Sequence, residues 1–358
     1  MIKYIGSKRL LLDPIVAAVT GFGEVRTALD LFSGTARVGR ALKRAGLRVT
    51  ANDHLAYAAT LARCYVAADG ARWRAPARAL LDELGRSEPV EGYFTRAFCR
   101  EARYLQPDNG RRVDGIREAI AARDLPPPLE AIALTSLMEA ADRVDSTTGV
   151  QMAYLKKWAR RSFNPLSLRL PELTDGPGEA LRLEAAEAAE VDADVAYLDP
   201  PYNQHSYLGN YHVWETLVRW DAPERYGVAN KRVDCRTYKN PFNSRRRIAE
   251  AFERVLSRLR ARHVVVSFND EGFLDRGQLE AMLASRGHVR VLSTDFKRYV
   301  GAQIGIHDPK GRRVGEVKKL RNREMLFLVS PERASVERAA RAAEARLKPA
   351  QTSLDVLA

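Results

Sequence analysis

The chain has 358 residues, 46% of them hydrophobic, and a formal net charge of +13. That length allows one large or two modest domains with an ample core, and the charge favours a polyanionic partner, most simply nucleic acid, over a small neutral substrate. The three cysteines, Cys64, Cys99 and Cys235, form no C-x-x-C pair, which points to reduced intracellular thiols rather than a zinc ribbon or a disulfide framework.

At the N-terminus, Gly6 and Ser7 make a loop between an apolar start and a helix over 10–19. Asp13 and Pro14 interrupt that apolar stretch as a secretory signal. No run of about 18 apolar residues occurs elsewhere, so no membrane span is expected and the expected location is the cytoplasm. Tyr4 and Lys8 bracket the loop; alone, they read more simply as a basic, frayed terminus.

Residues 27–32 read as a buried strand, Ser33-Gly34-Thr35 as a tight turn and 36–45 as a helix. This is the first strand–loop–helix unit of a nucleotide-binding fold. Gly34 and Gly39 do not make G-x-G-x-x-G, so a dinucleotide pyrophosphate is not the indicated ligand. Asp30, at the strand end, instead offers a carboxylate to a cationic amino group; an ordinary α/β turn is the competing reading. A second strand over 46–53 ends in Asp53, 23 residues after Asp30. Rossmann-type folds bind ribose hydroxyls at that place. A nucleoside with an amino-acid tail satisfies both carboxylates, and S-adenosylmethionine is that molecule.

Over 67–174 the strand–loop–helix rhythm disappears. Pro126-Pro127-Pro128 separates two helical segments, 114–123 and 129–142. Aromatics and bases mix around Tyr93, Phe94, Arg96 and Tyr104, and again over 153–161, which holds Tyr154, Lys156, Lys157, Trp158, Arg160 and Arg161. That mixture suits phosphate neutralisation with base stacking; a helical lid with core aromatics is the competing reading.

The α/β pattern resumes with a strand over 179–184, closed by Glu184, and a helix over 185–191. Residues 195–198 are a short buried strand, stopped by Asp199-Pro200-Pro201-Tyr202 because neither proline can pair in a ladder. Ligands bind outside the carboxyl ends of strands in open α/β sheets. A carboxylate, a stiff turn and an aromatic ring therefore meet at a candidate site, although Asp-Pro-Pro-Tyr alone is equally a strand-terminating turn.

Further on, 203–212 reads as a loop near substrate and 213–220 as a helix. The irregular stretch 221–244, with Lys231, Arg232, Arg236 and Lys239, reads as a loop facing nucleic acid. Helices over 245–262 and 273–286 flank a buried strand at 263–268. The last strands fall at 289–293 and 324–329. Between them, 297–323 carries nine Lys/Arg against two acids, a basic hairpin suited to phosphate or merely to a solvated edge. A surface helix over 331–348 and a frayed tail close the chain.

Taken together, these motifs resemble the Dam-type N6-adenine DNA methyltransferases. Lys-Tyr-Ile-Gly-Ser-Lys (3–8) is similar to the family's N-terminal cofactor motif, and Asp-Leu-Phe-Ser-Gly-Thr (30–35) to its glycine-loop motif. Asn-Asp-His (52–54) is similar to its ribose motif and Asp-Pro-Pro-Tyr (199–202) to its catalytic motif. Glu184 stands where the family places Asp against the cofactor adenine.

The resemblance implies a Rossmann-like class I methyltransferase sheet with a mainly helical target-recognition insertion. The expected organisation is 1–66 and 175–330 as two parts of a catalytic α/β domain, 67–174 as the insertion, and 331–358 as a C-terminal helix and tail. Tyr4, Lys8, Asp30, Gly34, Asp53, Glu184 and Asp199 would hold S-adenosylmethionine. Asp199 and the Pro200 carbonyl would accept from the adenine amine, and Tyr202 would stack on a flipped base. Duplex DNA is the implied partner, a cognate restriction nuclease is admitted, a monomer is the default, and no metal is called for. An RNA amino-methyltransferase and a non-catalytic DNA-binding module are the alternatives.

Overall fold

A computed structural model describes residues 1–297, 306–307, 313–315 and 321–347. Most of the basic stretch 297–323, and the tail, lie outside the described residues.

Seven strands form the central sheet: β1 Thr27–Asp30, β2 Arg48–Asn52, β3 Gly178–Leu181, β4 Val195–Leu198, β5 His263–Asn269, β6 His288–Lys297 and β7 Arg321–Ser330. Their order is β3-β2-β1-β4-β5-β7-β6. The first five run parallel, and β7 is antiparallel to both β5 and β6. β4 and β5 are buried along their whole length, as near-continuous apolar runs covered on both faces should be. Strand order reverses between β1 and β4, so the topological switch point lies where those two strands end.

Side chains alternate across the sheet. Val195, Tyr197 and Val265 face one apolar layer; Ala196, Leu198, Val264 and Val266 face the other. The second layer is closed by two helices, α8 Ile248–Arg258 and α9 Arg276–Ala284. On the first layer lie α1 Leu12–Gly21, α2 Arg37–Arg44 and the helices that follow β2. Those are α3 Ala56–Ala62, α4 Gly70–Leu84, α5 Pro107–Ala121 and α6 Pro127–Arg143. Both α5 and α6 begin on proline, whose missing N–H is no loss in a first turn. α7 His212–Arg219 follows Asp199-Pro200-Pro201-Tyr202, and α10 Arg333–Glu344 is the last described helix.

The fold is thus the Rossmann-like class I arrangement with a helical insertion between β2 and β3. Several local expectations need correction. Phe94 and Tyr104 are fully buried in the insertion's core, not displayed for base stacking. Burial of two large rings outweighs their usefulness at the surface. Arg232 is 1% exposed and pairs with Asp221 and Asp234, so it does not face nucleic acid. The strand at 179–184 stops at Leu181, and Glu184 instead precedes a short helix, Ala185–Ala188. α10 is no loose surface helix: Val336, Ala339, Ala340 and Ala343 are buried against the core that includes α1.

Candidate active site

A cleft opens at the carboxyl ends of β1, β2 and β4, the place where open α/β sheets bind their ligands. Asp30 ends β1 and is 1% exposed. Its Oδ2 accepts from Ser33 Oγ at 3.0 Å and from the Gly39 N–H at 2.8 Å. Gly39 has to be glycine: a Cβ there would stand 2.8 Å from that same oxygen. The other oxygen, Oδ1, is buried and has no hydrogen-bond partner among the described residues. Burial pushes the carboxyl up to about 7, with the Ser33 and Gly39 hydrogen bonds opposing. A buried acceptor without a donor is costly, and an incoming ammonium would relieve it.

Gly34 follows in the tight turn with φ +53°, a left-handed conformation that favours glycine. Its N–H donates to Asp53 Oδ2 at 3.0 Å, while Asp53 Oδ1 accepts from the Leu55 N–H at 3.0 Å. Asp53 therefore clasps the glycine loop while lining the cleft. A Cβ on Gly34 would lie 3.3 Å from the Tyr4 ring. Tyr4 stacks on Tyr207 and Tyr211, with ring centroids 5.2 and 4.7 Å away, and the Ile5 N–H donates to the Tyr211 hydroxyl. The N-terminal loop is thereby fastened to the segment just after Asp199-Pro200-Pro201-Tyr202. Glu184 is exposed at the cleft wall.

Asp199 lies two residues beyond Tyr197, the register partner of Asp30. The switch point thus brings both carboxylates to one cleft. Pro200 is buried behind Asp199. The Tyr202 hydroxyl accepts from Asn269 Nδ2 at 2.8 Å, and its carbonyl accepts from the Phe273 N–H at 2.8 Å. Lys8 also lines the cleft, but its ammonium is bound to Asp199 and to Glu324. Burial pushes the Asp199 carboxyl up to about 6, against the pull of Lys8 and with the push of Glu324. Burial opposes the Lys8 charge, but the two carboxylates more than offset this and hold it well above the ordinary lysine range.

Sequence reasoning missed four contributors. Tyr238 and Phe242, in the stretch read as facing nucleic acid, wall the cleft instead, Tyr238 stacked on His54 at 5.0 Å. Asn269 and Glu324 face each other across β5 and β7. The only sequence signal for these two was a polar residue at the end of each apolar run. Among the described residues no cluster of His, Cys, Asp or Glu could hold a metal ion, and no helix is long and apolar enough to cross a membrane.

The family profile of D12 class N6 adenine-specific DNA methyltransferases matches residues 4–270. The Type II methyltransferase M.NlaIII of Neisseria lactamica is 28% identical over 313 residues, covering 83% of this chain and 92% of that protein. Type II methyltransferase M.FokI of Planomicrobium okeanokoites is 28% identical over 325 residues, and the chain spans only 49% of its length. Type II methyltransferase M.CviAII of Paramecium bursaria Chlorella virus 1 is 30% identical over 230 residues, 61% of this chain and 68% of that protein.

Proposed function

Because the chain belongs to the D12 class of N6 adenine-specific DNA methyltransferases, we propose that it modifies one specific sequence in duplex DNA, acting on an adenine turned out of the helix. Adenine-specific methylation of DNA from S-adenosylmethionine is the activity of the class. When bound, that cofactor supplies a methyl group already activated by its sulfonium.

The cleft suits the cofactor on chemical grounds. Asp30 Oδ1, buried without a donor among the described residues, receives the ammonium of the methionine end. Asp53 receives the ribose hydroxyls, Glu184 the adenine amino group, and the Gly34 turn with Tyr4 shapes the wall between. Asp199 and the Pro200 carbonyl accept the two hydrogens of adenine N6. This localises a lone pair otherwise delocalised into the ring, by position and placed charge. Asp199 then takes the proton that the methylated nitrogen sheds. Tyr202 lies against the ring of the extruded base. Extrusion costs roughly a few kcal/mol, to be met by contacts with the duplex.

For those contacts we assign the helical segment 67–174, and within it the loop over 149–163. Lys157 and Arg160 are exposed there and Phe163 is 69% exposed. The Gln151 N–H donates to the Asn210 carbonyl at 2.7 Å, which ties the loop to the segment carrying Tyr207.

The observation that carries this reading is the meeting of Asp30 and Asp199 in one cleft at the switch point. Its test is tritiated-methyl transfer into unmethylated duplex DNA, followed by methylation-aware sequencing. Asp199→Ala is expected to lower transfer by about 10³-fold or more while cofactor affinity stays within a few-fold. Wild-type rates in the variant would reject the mechanism, and methyl groups on no single sequence context would reject site-specificity.

A further inference from the structure

The Lys8 ammonium meets two carboxylates away from water. Its Nζ lies 3.3 Å from Asp199 Oδ1 and 3.1 Å from Glu324 Oε2, and Lys8 is 7% exposed. Glu324 comes from β7, in register with Asn269 of β5. Glu324 Oε1 is 3.5 Å from Asn269 Nδ2, and that amide donates to the Tyr202 hydroxyl at 2.8 Å. Both side chains of the catalytic motif are thus connected through Lys8, Glu324 and Asn269 to a strand more than 100 residues later.

Lys8 and an adenine amine offer Asp199 the same thing, N–H donors. They compete for the same carboxylate. If Asp199 were the sole partner of Lys8, turning it fully to the base would draw a buried ammonium's counter-charge away, which is strongly unfavourable. Glu324 removes that obstacle because the ammonium has a second carboxylate already in contact.

We infer that Glu324 is a positioning residue for methyl transfer: it retains Lys8 while Asp199 turns from Lys8 to the adenine amine. This rests on the reading of Asp199 as the acceptor for N6. Glu324 touches neither base nor cofactor in this role; it acts through Lys8.

The test uses the full chain, unmethylated genomic DNA and tritiated S-adenosylmethionine. Glu324→Gln keeps the side chain's shape and removes its charge. It is expected to lower kcat at least about tenfold while the cofactor Kd changes less than about threefold, and Glu324→Asp should recover part of the loss. A pH profile separates this from a structural role. Asp199 is faced by Lys8 and Glu324, with Tyr197, Tyr202, Tyr207 and Asp30 around it. Removing the Glu324 charge leaves Lys8 dominant, so the acid limb of kcat moves to lower pH.

A double-mutant cycle gives the second readout. In a Lys8→Met background, Glu324→Gln should cost less than about twofold, because there is no ammonium left to retain. An acid limb that stays in place, or an equal loss in both backgrounds, overturns the inference; if Lys8→Met is itself inactive, the acid limb decides. Absence of methyl transfer by the unsubstituted protein overturns the reading of Asp199, and the inference with it.

Discussion

Asp30 shows what a buried carboxylate costs. Its Oδ1 is buried without a donor among the described residues, and its carboxyl is pushed up to about 7. The unfolded chain sheds that proton near pH 4. Between those values the folded protein holds a proton that the unfolded chain has lost, so stability falls as pH rises through the window. The effect amounts to a few kcal/mol at most. Asp30→Asn should remove it, since the amide oxygen can keep the Ser33 and Gly39 hydrogen bonds while no charge is buried. We expect the ligand-free variant to melt higher than wild type at pH 8. The same change should weaken S-adenosylmethionine binding by roughly 30- to 150-fold, the value of about 2–3 kcal/mol for a charge-assisted hydrogen bond. Wild-type affinity should itself fall about tenfold per pH unit below about 7, as the carboxylate becomes protonated. Thermal melts and calorimetric titration from pH 5 to 8 would check both. An Asn variant that binds as tightly as wild type would remove Asp30 from the ammonium site.

At the scale of elements, α1 and α10 pack backbone to backbone at Gly21. A Cβ on Gly21 would sit 2.9 Å from Ala339 Cα and 3.0 Å from Ala342 Cβ. Backbone cannot yield there as a flexible side chain would. Gly21→Val should therefore destabilise by about 2 kcal/mol and lower the melting midpoint by roughly 3 °C. Differential scanning calorimetry measures this, and an unchanged midpoint would mean the helices do not meet as described. These elements also show how far a sequence reveals a fold. The strands at 27–30, 195–198 and 263–269 were legible because a strand buried on both faces must be apolar throughout. Asp30 and Asp199 were legible because each stands where such a run stops, and Asp53 because it closes the second strand 23 residues after Asp30. α4 was not, because Gly70 and Pro76 are poor helix formers, although Asp69 caps its first turn. Phe94, Tyr104 and Arg232 misled for one reason: composition does not say which way a side chain points. Arg232 is buried only because Asp221 and Asp234 converge on it from two sides.

At the scale of the molecule, the contacts that escape sequence reading are those between distant segments. Glu324 and Asn269 become neighbours through an antiparallel pairing, and Tyr238 reaches the cleft across the top of the sheet. Net charge is the whole-molecule property that can be read directly, and +13 bears on DNA binding rather than on the fold. It separates the two ligands physically. A duplex bound through exposed Lys and Arg releases counterions, so the logarithm of affinity falls linearly with the logarithm of salt concentration, by about 0.9 per phosphate neutralised. With about six phosphate contacts, raising salt from about 50 to 200 mM should cost on the order of 10³-fold in duplex affinity. The proposed anchor of the cofactor, Asp30, is 1% exposed and so little screened by salt. Cofactor affinity should change less than about twofold over the same range. Fluorescence anisotropy of a labelled duplex beside calorimetric titration of the cofactor would measure both slopes on one preparation. A flat duplex response would mean the excess positive charge plays no part in DNA binding, whereas a steep cofactor response would place its anchoring charge at the surface instead of at Asp30.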